Sequence, residues 1–123
     1  MALPPNVKPI FELFIAGQPV ARPSGRMWSK RPGLRAWMET VAWSAKALAG
    51  GRVYLESVEL WLSFYTDEPA DASNLTKAVE DALNKIVWKD DRQVRALHVV
   101  VLPVGPVPSK PGVKIAVYPW RTK

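Results

Sequence analysis

The chain of 123 residues has no cysteine and a single histidine, His98. Without cysteine there is no disulfide framework, no thiolate nucleophile and no cysteine-bound zinc; one histidine leaves no two-histidine metal site. A serine–histidine triad would have to use His98, which sits inside a strand pattern and reads as structural. No apolar run approaches the roughly 18 residues that span a bilayer, and the opening MALPPNVKP lacks the apolar core of a signal peptide. The expectation is a soluble, cytoplasmic protein with no membrane partner. At roughly 150 residues per domain the length gives one compact domain over 1–123, which excludes catalysis shared between two domains of one chain. The hydrophobic share of 48% is ordinary for a globular protein.

Acidic side chains are also in deficit, 11 against 17 basic ones, for a net charge of +6. That balance favours a polyanionic partner. Its distribution is uneven. Residues 17–36 contain Arg22, Arg26, Lys30, Arg31 and Arg35 with no acid. Residues 66–91 hold Asp67, Glu68, Asp71, Glu80, Asp81, Asp90 and Asp91 against Lys77, Lys85 and Lys89. An acidic island gains nothing on a DNA-binding surface, because carboxylates repel phosphates, unless a cation stands between them.

Hydrophobic spacing sets the elements. Ile10 to Ala16 reads as a first strand. The Pro- and Gly-rich stretch 17–33 reads as a basic loop able to reach phosphates. Trp37, Val41, Ala45 and Leu48 recur at helical spacing, and Gly50-Gly51 stops the helix. Residues 58–65 alternate as a strand with one face on a core. Leu75, Ala78, Val79, Ala82, Leu83, Ile86 and Val87 mark the clearest helix, with Asp71, Ser73 and Asn74 as candidate caps at its start. Val94 to Leu102 and Val113 to Tyr118 read as a closing hairpin. The order β-α-β-α-β-β predicts an α/β (α+β) fold, a mixed sheet with two helices.

Clustered carboxylates are hard oxygen ligands suited to Mg²⁺ or Mn²⁺, and an ion so held can activate water and neutralise a phosphate under displacement. Asp71 precedes the second helix and Asp90-Asp91 follow it, so a shared pocket requires folding to gather groups separated by about 20 Å of helix. Lys77, one turn inside that helix, is placed to stabilise charge on a phosphate. Taken singly, each has a plainer explanation: Asp71 as a cap, Asp90-Asp91 as a turn, Lys77 paired with Asp81 at i+4.

Read together, D71-A-S-N-L-T-K77, D81-A-L-N-K and W88-K-D90-D91-R-Q-V94 resemble the RusA family of Holliday junction resolvases, with its D-x-D-N-L-x-K, D-A-L and W-x-D-D-x-Q-V elements in the same order. F14-I-A-G-Q-P-V-A-R22-P is similar to the family's first strand and basic loop. The resemblance implies a homodimeric, Mg²⁺-dependent endonuclease of phage or prophage origin that nicks four-way DNA junctions symmetrically. It implies Asp71 and Asp91 as metal-binding catalytic carboxylates, Asp90 as a supporting metal ligand, Lys77 as the catalytic cation and Asn74 as a residue holding the loop to the helix. Arg22, Arg26, Lys30, Arg31 and Arg35 are the expected DNA contacts, with help from Lys110, Arg121 and Lys123; Trp28 is either a base-stacking group or loop packing. The other tryptophans are expected in the core or a dimer interface. Ser73 stands where the family has its second Asp, which replaces a charged ligand by a neutral hydroxyl. Reduced metal binding and cleavage follow, with Asp67, Glu68 or Asp90 as compensating charges. The alternatives are a junction-binding protein without useful cleavage and a protein for RNA or generic duplex, which leaves the acidic island unexplained.

Overall fold

The computed structural model describes residues 6–23 and 31–120. The elements are β1 (Phe11–Ala16), α1 (Leu34–Ala49), β2 (Val58–Tyr65), α2 (Ala72–Leu83), a short 3₁₀ turn at Asp91–Gln93, β3 (Val94–Leu102) and β4 (Gly112–Pro119). They form one four-stranded sheet in the order β1-β4-β2-β3. β4 pairs antiparallel with β1 and β2, whereas β2 and β3 run parallel. The mixed sheet with two helices therefore agrees with the periodicities.

The closing hairpin does not form. β3 pairs with β2, and β4 crosses over to lie between β1 and β2. Burial explains the choice. Val113, Ile115, Ala116, Val117 and Tyr118 are all buried, so β4 belongs in the interior of the sheet with neighbours on both sides. Gly112 opens β4 where a Cβ would lie 2.5 Å from Cζ of Phe14 and against the Ile15 carbonyl, so glycine permits the close β1–β4 approach.

In α1, Leu34, Trp37, Val41 and Ala45 are buried, and Gly50 ends the helix in the left-handed region at φ 62°, donating its N–H to the Lys46 carbonyl. In α2, Leu75, Thr76, Ala78, Val79, Ala82 and Leu83 are buried. All but Thr76 share one core with Val58, Leu60, Leu62 and Phe64 of β2. The helical spacing of Ile86 and Val87 promised a longer α2. Instead Asn84 turns to ψ 131° and Lys85 enters the left-handed region at φ 71°. Val87 and Trp88 nevertheless remain buried, so burial continues after the helix has ended. Trp37 and Trp88 are core residues, whereas Trp43 lies outside the core, 68% exposed on α1 under Lys46 Nζ, 5.6 Å from its ring centroid.

What matters for the site is the unit β2–α2–β3. β3 begins beside the start of β2, with Val94 opposite Val58, and ends beside its last residues, with Leu102 opposite Tyr65. The helix leaves from the end of β2 and returns the chain to the start of β3. Among the described residues no helix is long and apolar enough to cross a membrane.

Candidate active site

Asp71 caps α2: its Oδ1 accepts the Ser73 N–H at 2.8 Å. The plain reading of this aspartate is thus realised, while its second oxygen has no part in the cap. Ser73 itself is not the cap; it is exposed in the first turn. The Asn74 carbonyl accepts the Arg22 N–H at 2.9 Å, which ties the 17–23 segment to the helix start through main chain. The Arg22 guanidinium pairs with Asp81, so any DNA contact by Arg22 would be made alongside that pair. Arg31 and Arg35 are exposed at the start of α1, as is Lys110 in the loop before β4. Arg26, Trp28, Lys30, Arg121 and Lys123 lie outside the described residues.

At the other end of α2, side-chain hydrogen bonds hold a tight turn. Trp88 is fully buried, and its indole N–H donates to Asp91 Oδ1 at 2.8 Å. Gln93 uses its whole amide. Its Oε1 accepts the N–H groups of Lys89 and Asp90, each at 2.9 Å. Its Nε2 donates to the carbonyls of Tyr54 at 2.9 Å and Glu56 at 2.8 Å. Asp90 caps the 3₁₀ turn and is gripped by Arg92, whose Nε and Nη2 donate at 3.2 and 3.0 Å. That side-chain hydrogen bond, then the Arg92 main-chain N–H, hold the Asp90 carboxyl below its ordinary value, with Lys85 adding a smaller pull.

Glu80 is a residue the motif reading passed over. Burial first, then the charges of Asp91 and Asp81, push its carboxyl above the usual range. A glutamate whose folded-state pKa is raised is least costly when protonated, so its penalty appears as pH rises through that raised value. Glu80→Gln is therefore expected to raise Tm at pH 7 in metal-free protein. The gain should vanish below the ordinary glutamate range, as read by thermal melts at pH 7 and pH 4. The signal for Glu80 was its place in the helical row Ser73, Lys77, Glu80, Asn84, exposed at its first two members and half-buried at the last two, which joins the two ends of α2.

The expected gathering of Asp71, Asp90 and Asp91 does not occur within one chain. Asp71 lies at the end of β2 and Asp91 before the start of β3, with a 12-residue helix between them, a span of about 18 Å. Among the described residues no three carboxylate or imidazole side chains stand together as a metal site. Asp90 is engaged by Arg92; Asp67, whose Oδ1 accepts the Val104 N–H at 3.1 Å, and Glu68 are exposed in the same β2–α2 connection as Asp71. Lys77 is exposed on α2 between the two ends. His98 keeps the structural place expected of it, stacked on Trp61 at 3.9 Å with Nε2 3.1 Å from Glu59.

A family model described as endodeoxyribonuclease RusA matches residues 16–118. The chain belongs to the RusA endodeoxyribonuclease family. The match runs from the end of β1 to β4 and so takes in both ends of α2. No curated protein matches the chain. Membership supports nuclease activity on branched DNA of the junction-resolving kind, in DNA recombination. RusA-family nucleases generally depend on a divalent metal.

Proposed function

We propose that this protein is a Mg²⁺-dependent resolvase that nicks four-way DNA junctions in pairs, acting as a homodimer whose metal sites each combine Asp71 of one chain with Asp91 of its partner. The observation that carries this reading is the separation of the two aspartates by the length of α2. Both are exposed, and each uses Oδ1 in a structural hydrogen bond to a fixed N–H. Each retains a second hard oxygen of the kind Mg²⁺ prefers. Among the described residues of one chain, no three carboxylate or imidazole side chains stand together to hold an ion. A two-fold relation that reverses strand direction sets the Asp91 end of one chain beside the Asp71 end of the other, and does so twice. Two equivalent sites match the two strands cut in a junction.

In such a site the ion would supply a Lewis acid for the phosphate and an activated water. The chain's own residues do the rest. Trp88 and Gln93 fix the Asp91 turn, and Asp71 is fixed by its cap. Lys77 faces outward on α2 between them and supplies positive charge for the phosphate. Asp90, neutralised by Arg92, supports the turn and comes second to Asp71 and Asp91 as a ligand. Arg31 and Arg35 contact backbone phosphates, with Arg26 and Lys30 of the same basic segment. A phage or prophage source and action in the bacterial cytoplasm accompany this reading.

Ser73 leaves the Asp71 end one charge short, which lowers affinity for the ion. Titration of Mg²⁺ and Mn²⁺ against a labelled four-way junction tests the function: paired, metal-dependent nicks support it. Tight binding without nicks at any metal concentration favours the second reading, a junction-binding protein, which Ser73 motivates. Ser73→Asp is expected to lower the Mg²⁺ concentration for half-maximal nicking about tenfold. An unchanged midpoint would remove the proposed deficit.

A further inference from the structure

The charge tally along the sequence treats 66–91 as one acidic island, but the fold divides it. Asp67, Glu68 and Asp71 stay at the end of β2, while Lys85 and Lys89 are carried beyond α2 to the Asp91 turn. There they border an open groove of about 950 Å³ whose lining includes Leu55, Lys85, Lys89, Asp90, Asp91 and Arg92, three cations against two carboxylates. Lys85 and Lys89 are exposed, and neither makes an ion pair with a described residue. The Arg92 side chain is 91% exposed although it pairs with Asp90. Leu55 is 69% exposed beside them, an apolar side chain left in water at the groove wall.

Lys85 carries a second observation. It is the only non-glycine with positive φ among the described residues, at 71°. Its N–H donates to the Trp88 carbonyl at 2.7 Å, closing the loop that presents Asp91. Glycine or asparagine adopts this conformation at less cost. A lysine held there places its charge at the groove beside a candidate catalytic carboxylate.

We infer that this groove is a phosphate-binding subsite, in which Lys85, Lys89 and Arg92 grip the DNA backbone next to the phosphate presented to Asp91, with Leu55 packed against the adjoining sugar or base. The inference rests on the proposed nuclease function and extends it, because these cations lie outside the basic segment 17–36. The spacing is chemically coherent: a carboxylate that takes a metal sits among cations that take the flanking phosphates, so attraction to DNA persists around a group that by itself repels it. Contacts of this type are independent of sequence and sensitive to salt.

The test is the double variant Lys85→Gly/Lys89→Ala. Glycine suits the φ of 71° at the first position, and the Lys89 main-chain bond to Gln93 does not involve its side chain, so Tm is expected to stay level or rise. Binding of a labelled four-way junction is measured in EDTA over a range of NaCl. The expected result is about tenfold weaker binding near 0.15 M salt, and a log–log salt slope shallower by about 2, close to 0.9 for each lost phosphate contact. Where the wild-type protein binds the junction, unchanged affinity and slope in the double variant overturn the groove alone. Failure of the wild-type protein to bind the junction at all overturns the functional reading, and the groove with it.

Discussion

Asp91→Asn and Asp71→Asn are each expected to slow junction cleavage by two orders of magnitude or more, because in the proposed site each removes a charged ligand oxygen that helps stabilise developing charge. The substitutions suit this question because both preserve the local fold. Asparagine is as good an N-cap as aspartate, so residue 71 can still accept from Ser73. An amide oxygen at position 91 can still accept from the Trp88 indole. Thermal stability should therefore change little, and junction binding in EDTA should be unchanged or slightly tighter, since a negative charge near phosphate has gone. Single-turnover cleavage with excess enzyme, read beside the binding curve, separates these effects. Wild-type rates in either variant would remove that aspartate from the mechanism.

The second large effect concerns the side chain beneath the site. Trp88 is fully buried just after α2, and its one polar atom points to Asp91. Trp88→Ala is expected to cost about 3–5 kcal/mol through lost burial and the cavity left behind. In a domain whose total stability is roughly 5–15 kcal/mol, that brings the chain close to unfolding. Trp88→Phe separates packing from positioning. It keeps most of the apolar volume and loses the indole N–H, so the Asp91 turn survives with a less firmly oriented carboxylate. Denaturant melts should show a loss well below that of the alanine variant, while cleavage falls by more than the stability change explains. Equal stability losses in the two variants would contradict this division of roles.

Much of the fold could be read from spacing alone. The alternation from Val58 to Tyr65 and the helical rows of α1 and of Leu75 to Leu83 matched the elements that form. Periodicity states which face of a strand is buried but not which strand lies beside it. The apolar alternation of 113–118 therefore fitted a hairpin with β3 as well as it fitted the central position β4 occupies. The end of α2 was hidden for a related reason: Val87 stays buried after the helix stops, so the apolar pattern runs on while the backbone turns at Asn84 and Lys85.

At the candidate site, the cap role of Asp71 was legible from its place before an amphipathic run. The roles of Trp88 and Gln93 were not, since they rest on hydrogen bonds to Asp91 and to the 54–56 main chain that only folding creates. The distance between the aspartates was implicit in the helix length. What the sequence left open was whether loops fold back to close it, and within one chain they do not.

The most direct measurement mixes two inactive proteins. Asp71→Asn and Asp91→Asn homodimers are prepared separately, each without cleavage, then exchanged into heterodimers and assayed on a labelled junction. If each site draws Asp71 from one chain and Asp91 from the other, every heterodimer has one intact site and one doubly damaged one. Roughly half the dimers in an equal mixture are heterodimers, so about a quarter of wild-type site activity should return, as nicks in one strand only. If both aspartates act from the same chain, no intact site exists in any combination, and a mixture that exchanges subunits yet stays inactive contradicts the shared site.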